Sequence, residues 1–505
     1  MPRTQANMGF VVAGLLLGIL MASMDNTIVV TAMGTIVGDL GGLENFVWVV
    51  SAYMVAEMAG MPIFGKLSDM YGRKRFFIFG LILFMIGSAL CGTAHSILEL
   101  SIYRAIQGIG GGALVPIAFT IVFDIFPPEK RGKMGGLFGA VFGLSSIFGP
   151  LLGAYITDNI SWHWVFYINL PLGIISLIFV MMFYKESKIH QKQRIDWWGA
   201  TTLIGAVVCL MFALELGGEK YAWNSSVILS LFGGFVLLFL IFLYAETKAS
   251  DPIISFKMFK NRLFAGSTIV GLFYGAAFMS ATVYIPIFIQ GVYGGTATNS
   301  GLILLPMMLG SVVTAQIGGF LSAKMSYRNI MFFSGIILLA GFLLLTTLTP
   351  ETSRVLLTFY MIIVGCGVGF SFSVLGMAAI HGFEMYQRGS ASSTSNFIRS
   401  LGMTVGITMF GTIQKNDFAA QLKEAFKGMG GMAGQHGGDA RQILSAGVRE
   451  KLPPQILNPI IDGLSNSIVH TFMWALLPAG LAFLFVFLMG KERLVIKKEK
   501  VTETA

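Results

Sequence analysis

The chain has 505 residues, of which 55% are hydrophobic and only 12% charged, with a mean hydropathy of +0.76 and a net charge of +9. Soluble domains carry roughly 25% charged residues, and a chain this apolar would expose far more greasy surface than water tolerates. Composition therefore excludes an ordinary soluble domain, and the placement of the charge, described below, argues against a nucleic-acid binder.

Apolar runs long enough to cross ~30 Å of hydrocarbon as helices follow one another along the whole chain. Fourteen begin near Met8, Phe46, Phe76, Leu98, Gly135, His163, Trp197, Ser226, Leu263, Ser300, Asn329, Arg354, Ser392 and Ile468. The first continues past Asp25 to about Met33 without a cleavage-site pattern, so it reads as a retained span and not a signal peptide. Cys91, Cys209 and Cys366 each lie inside an apolar run and read as small buried hydrophobes. An even number of spans puts both termini on one side. Arg73, Lys74, Arg75, Lys130, Arg131, Lys185, Arg194 and Lys498 then share that side, while the short loops opposite carry only Lys220 and Arg354. This bias predicts a multi-pass protein of the bacterial cytoplasmic membrane with both termini cytoplasmic. A long outer segment, about 414–466, holds Phe418, Leu422 and Phe426 at helical spacing, a Gly-rich stretch and a second helical patch, and reads as a surface hairpin.

The loop between spans 2 and 3, GKLSDMYGRKR from Gly65 to Arg75, has a faded echo in GFLSAKMSYRN from Gly319 to Asn329, between spans 10 and 11. The echo lies eight spans away. Two six-span halves, 1–190 and 251–505, separated by two inserted spans in 191–250, account for that displacement.

These segments also resemble a known family. GKLSDMYGRKR resembles the loop signature of the major facilitator superfamily, and RAIQGIGGG from Arg104 is similar to its span-4 motif. GLSSIFGPLLGA, with Gly143, Gly149, Pro150 and Gly153, resembles the span-5 motif of its antiporters. MDNTIVVTAMG around Asp25, WHWVFYINLPLG and RIDWWGA resemble the fourteen-span drug:proton antiporters, with Val30 and Gly34 departing from the usual pattern. The resemblance covers the whole chain. It implies an all-α polytopic membrane protein with the major facilitator fold, two six-helix halves plus two inserted helices. It also implies export of small lipophilic, mainly cationic compounds against protons. No cofactor is expected beyond the proton gradient, and the lipid bilayer is the remaining partner.

Ionisable groups inside a bilayer cost several kcal/mol, so each is a functional candidate. Asp25, Glu57 and Arg104 stand out. At ~1.5 Å per residue, Asp25 lies roughly 12 Å deep, Arg104 roughly 9 Å and Glu57 roughly 17 Å. An Asp25–Arg104 pair is feasible at those depths, either as a coupling element or as a fixed ion pair joining spans 1 and 4. A buried acid can be poised to load and release a proton, which nominates Glu57 and Asp25 for coupling. Arg399 also lies within a span, but no acid lies deep in spans 9 to 14. Gly65, Asp69, Gly72, Arg73 and Lys74 read as a conformational latch between a charge and a helix end. Asp196, ahead of WWGA, reads as a helix N-cap, and Glu215 as an interfacial acid. Gly135, Gly139 and Gly143 recur every four residues and open a groove for a neighbouring helix. Pro150 removes a backbone donor and permits a kink there.

There is no GxxxxGK[ST] for ATP, no metal-ligand spacing among the six His and no Gly-x-Ser-x-Gly elbow, so an enzyme is not expected. Two other readings stand beside drug:proton antiport. One is a dedicated exporter or symporter of a single metabolite, such as a siderophore, antibiotic or organic acid. The other is a channel or sensor.

Overall fold

The computed structural model describes residues 5–41, 47–186, 196–218, 220–295, 297–425 and 453–494. The first seven-helix group comprises α1 (Gln5–Leu40), α2 (Val47–Tyr71), α3 (Arg73–Cys91), α4 (Ile97–Ile125), α5 (Pro128–Asn159), the short α6 (Trp164–Tyr167) and α7 (Asn169–Phe183). Helices α8 (Trp197–Leu216) and α9 (Ser226–Lys248) follow as a pair. The last group is α10 (Arg262–Gly291), α11 (Ala297–Leu321), α12 (Tyr327–Leu345), α13 (Arg354–Ile380), α14 (Arg388–Ala425) and α15 (Pro454–Phe485). Helices α6 and α7 together make one crossing, which gives 13 segments long and apolar enough to span a membrane.

Helix α14 is the fourteenth crossing. Its 38 residues include six Ser and Thr between Ser390 and Ser400 alone, so hydropathy undervalues it. It crosses because it is enclosed: Gly402 and Gly406 lie against Leu272 and Ala276 of α10, and Ser393 lies against Gly65 of α2. Some hydroxyls turn back onto the helix's own carbonyls, as when Thr404 and Thr408 donate to Ser400 and Thr404, while Ser392 donates to the Pro116 carbonyl of α4. Helix α9 is the opposite case. Only 11% of its most apolar window is buried, and its exposed Leu237, Leu240 and Ile241 face outward, as lipid contact requires.

Several helices outrun their apolar runs. Helix α5 starts seven residues before Gly135, through Lys130, Arg131 and Lys133, and α15 starts at Pro454, well before Ile468. Backbone hydrogen bonding does not end where the hydrocarbon does. For the same reason α14 continues through Phe418 to Ala425, where Phe418 is buried beside Gly463 of α15. The surface-hairpin reading of 414–466 thus has helix at both ends, and its Gly-rich stretch and second patch lie outside the described residues.

Ser and Asp side chains start many helices. Asp196 accepts the Gly199 N–H at 2.8 Å to cap α8, as its position before WWGA predicts, and Ser96, Ser225, Ser326 and Ser353 do the same for α4, α9, α12 and α13. One core cluster gathers α10 to α15, a second gathers α1 to α5 with α7, and a third joins α2 to α8, α9 and Phe397 of α14.

Helix α4 carries Gly108 and Gly112 against α2. A Cβ at Gly112 would lie 2.5 Å from the Glu57 carbonyl oxygen, and one at Gly108 would strike the Tyr53 carbonyl. Backbone cannot swing aside as a side chain can. Gly112→Val should therefore cost about 1–3 kcal/mol or more through overpacking. Gly233→Val, on α9 with no atom within 4 Å, should be neutral. Thermal unfolding of the two variants in detergent checks this contrast.

Candidate functional site

The deepest polar structure is a knot around Asp25 of α1. Arg104 of α4 forms a salt bridge with Asp25 Oδ2, and both side chains are fully buried. Asp25 Oδ1 also accepts from Gln107 Nε2 at 2.8 Å and from Asn169 Nδ2 at 2.9 Å. The guanidinium donates further to Gln107 Oε1 at 2.7 Å, the Val49 carbonyl at 3.1 Å and Asn26 Oδ1 at 3.3 Å. Its face lies 4.2 Å from the centre of the Tyr53 ring. Ser88 of α3 accepts from Gln107 and Asn169 and donates to the Phe166 carbonyl. Five spans, α1 to α4 and the α6–α7 crossing, contribute to the network around this ion pair. A buried ion pair is costly to break, about 3–5 kcal/mol when one partner is removed, and this one is saturated on every side.

Glu57 of α2 lies near this knot but outside it. Among the described residues its carboxylate has no hydrogen bond and no ion pair, and the residue is partly exposed. The pairing envisaged for Asp25 and Arg104 is thus present, and Glu57 is the acid left untied.

The second polar assembly lies at the end of α2 on the Lys/Arg-rich face. Asp69 accepts the N–H groups of Gly389 at 2.9 Å and Ser390 at 2.8 Å, plus the Ser390 hydroxyl at 3.1 Å. Those groups are the unpaired donors at the start of α14, where the helix dipole also favours a negative charge. Arg73 bridges Asp69 at 3.2 Å and contacts Asp124 of α4 and the Met385 carbonyl. Arg388 reaches Asp124 at 2.7 Å. Gly65 and Gly389 make this approach possible, since a Cβ on Gly389 would lie 2.6 Å from the Gly65 carbonyl. Gly72 has φ +110°, a conformation that favours glycine, and lets the chain turn from α2 into α3.

The latch members therefore divide. Gly65, Asp69 and Arg73 clasp the last helix group, whereas Lys74 donates from Nζ to the Met181 and Tyr184 carbonyls at 2.8 and 2.6 Å, near the end of α7. Lys74 secures α3 to α7 and does not reach across. Asp124 and Arg388, which complete the clasp, carry no motif of their own. The complementary charges at their helix ends were the available signal.

Helix α5 shows three glycine faces where the spacing suggested one groove, and Gly135 leaves the groove to face Met377 and Ser373 of α13. Gly132, Gly136, Gly139 and Gly143 face α11, and a Cβ at Gly132 or Gly319 would collide with the other's carbonyl. Gly149 and Gly153 turn instead to α1, beside Thr27 and Thr31. Pro150 sits within the uninterrupted helix where its partner changes. One half of α5 thus belongs to the contact with α11 and the other to the first helix group.

Arg399 of α14 is the counterpart of Glu57. Its Nη2 donates to Asn396 Oδ1 at 3.3 Å, its Nε is buried without a hydrogen-bond partner, and no carboxylate among the described residues pairs with it. The guanidinium lies 5.8 Å from the Phe142 ring centre and 5.7 Å from that of Phe372. Cation–π contacts contribute roughly 0.5–2 kcal/mol each, whereas a charge at the bilayer centre costs at least about 2.5–3.5 kcal/mol. Both rings lie near the ~6 Å limit of such contacts, and no anion among the described residues adds to them.

Comparison with known proteins fits this geometry. The family model of the Major Facilitator Superfamily matches residues 15–197 and 190–407. Multidrug resistance protein 3 of Bacillus subtilis is 59% identical over 493 residues, covering 97% of this chain and 96% of its own. Multidrug transporter protein MdtP of the same organism is 37% identical, with 92% and 91% covered. The MFS-type efflux pump MFS1 of Trichophyton rubrum is 32% identical, with 99% and 94% covered. Among solved structures, the proton:xylose symporter XylE aligns with a TM-score of 0.64 at 14% identity, covering 97% of each chain, which bears on the fold alone. A bundle of membrane helices, clasped at one face around intramembrane charges, defines a multi-pass membrane transporter. This chain belongs to the major facilitator superfamily.

The Asp69 contacts join helix groups that must part if the basic face is to open. Asp69→Asn keeps the shape but loses charge and one acceptor oxygen, so the clasp should weaken by about 1–3 kcal/mol. Cysteines placed at the basic ends of α5 and α11 should then react severalfold faster with a polar maleimide than in the parent protein.

Proposed function

We propose that this protein exports chemically diverse lipophilic compounds, mainly cations, across the cytoplasmic membrane in exchange for protons. Two relatives covering nearly the whole chain bear multidrug names, and that supports the breadth of substrate. The single observation that carries the coupling proposal is Glu57, an acid in a spanning helix with no hydrogen bond or ion pair among the described residues.

In this reading the Lys/Arg-rich face is cytoplasmic and both termini lie there. With the Asp69 clasp closed, the binding region opens to the outside, where a proton neutralises Glu57 and a bound cation loses its counter-charge and leaves. The clasp then opens inward, the proton departs to the cytoplasm, and the restored carboxylate attracts the next cation. The Asp25–Arg104 knot serves as the fixed frame against which these helices move. No nucleotide takes part, and the proton gradient alone supplies the driving force.

The test uses inverted membrane vesicles with an acidic interior and ethidium as the transported dye. Wild-type uptake should collapse on adding a protonophore, and Glu57→Gln should reduce it to the level of vesicles lacking the protein. Full gradient-driven uptake in the variant would move coupling away from Glu57. No uptake by folded wild-type protein would overturn the cation-export reading.

A further inference from the structure

The intramembrane charges are unequally distributed. Among the described residues, the first helix group holds an acid with no ion pair, Glu57, and the last holds a base with no ion pair, Arg399. A guanidinium is permanently charged and presents a planar fork suited to carboxylates. Around Arg399 stand Phe142 of α5 and Phe372 of α13, their rings 6.0 Å apart and stacked at 15°, with Phe278 of α10 edge-on to Phe372 at 5.8 Å. The ring surfaces are those an aromatic ligand would pack on, and both helix groups contribute to them. Arg399 itself is partly exposed, so an incoming group can reach it.

Three features separate this arrangement from structural ion pairs elsewhere in the chain. Arg104 and Arg73 each meet a carboxylate and at least one carbonyl, and Arg388 meets Asp124 and the Phe383 carbonyl. Arg399 meets only a side-chain amide at the long end of hydrogen-bond range, with Nε left over. It also sits where α14 faces α5, a boundary between the two helix groups. We propose that Arg399 is the counter-charge for an acidic group on the transported compound, so that lipophilic aromatic carboxylates are substrates alongside cations. The carboxylate would pair with the Arg399 fork while the aryl body packs on Phe142 and Phe372. This rests on the export reading above and places its binding region between the helix groups.

The test is direct binding to the purified full-length protein in detergent, followed by fluorescence anisotropy. Fluorescein serves as the aromatic carboxylate and ethidium as the cation. Charged hydrogen bonds set the expected scale: Arg399→Gln should weaken fluorescein binding by about tenfold or more. Arg399→Lys, which keeps the charge, should lie between that variant and wild type. Ethidium affinity should stay unchanged or improve in both variants, and equal melting temperatures would show that they are folded. Wild-type protein that binds ethidium but not fluorescein would overturn this proposal and leave the export reading standing. Wild-type protein that binds neither would overturn both. Equal weakening of the two dyes in Arg399→Gln would assign Arg399 a structural role and also refute the proposal.

Discussion

A charge inside a membrane finds no water to hydrogen-bond, and every arrangement described above answers to that constraint. Asp25 and Arg104 satisfy it completely, enclosed by Gln107, Asn169, Ser88, Asn26 and the Val49 carbonyl. Asp69, Arg73, Asp124 and Arg388 satisfy it at the basic face by joining helix ends. Among the described residues, Glu57 and Arg399 then remain as charges inside their helices with no opposite charge paired to them; Lys66, near Asp69 at the basic end of α2, is likewise unpaired, and Glu246 of α9 is held by the Ile253 and Ile254 N–H groups. Glu57 lies on the first helix group and Arg399 on the last. The division between tied and untied charge is the one on which the proposed division between frame and site rests.

The backbone makes the same distinction. Where helices meet within one group, glycine lets them touch along their length, as Gly108 and Gly112 do between α4 and α2. Between groups, close glycine contact is concentrated towards the basic face, at Gly65 with Gly389 and at Gly132 with Gly319. Helix α5 changes partner partway, from α11 to α1, near Gly149 and Pro150. Glycine pairs of this kind offer smooth surfaces that separate without unpacking side chains. The Asp69 contacts, at a helix N-terminus, are ones that water can replace when the groups part.

Much of this was legible in the sequence. Hydropathy located the spans because a membrane helix must be long and apolar, and the depth of Asp25 and Arg104 suggested their pairing before any coordinates. Gly65 and Gly319, which begin the two similar segments, each lie at a close contact between helix groups, with Gly389 and Gly132. Other features were not legible, for identifiable reasons. Gln107 and Asn169 are ordinary polar residues until the fold brings them to one carboxylate from helices far apart in sequence. Lys74 sits in the latch motif but reaches carbonyls near the end of α7, since one residue's step around a helix sends a side chain to a different neighbour. Arg399 is visible in the sequence only as a charge within a span, and its surroundings show that no acid among the described residues meets it. Helix α14 is the least apolar crossing because protein and not lipid surrounds much of it.

The central claim is that tied charges hold the fold and untied charges are kept at its expense. Thermal unfolding of four neutralised proteins, Asp25→Asn, Arg104→Gln, Glu57→Gln and Arg399→Gln, measured side by side in detergent, tests it most directly. Breaking the buried pair should cost about 3–5 kcal/mol, so the first two should melt well below the parent. Glu57→Gln and Arg399→Gln should melt at the parent temperature or above it, because each removes a charge that nothing compensates. Losses in those two as large as in Arg104→Gln would contradict the account, because both charges would then be part of the frame.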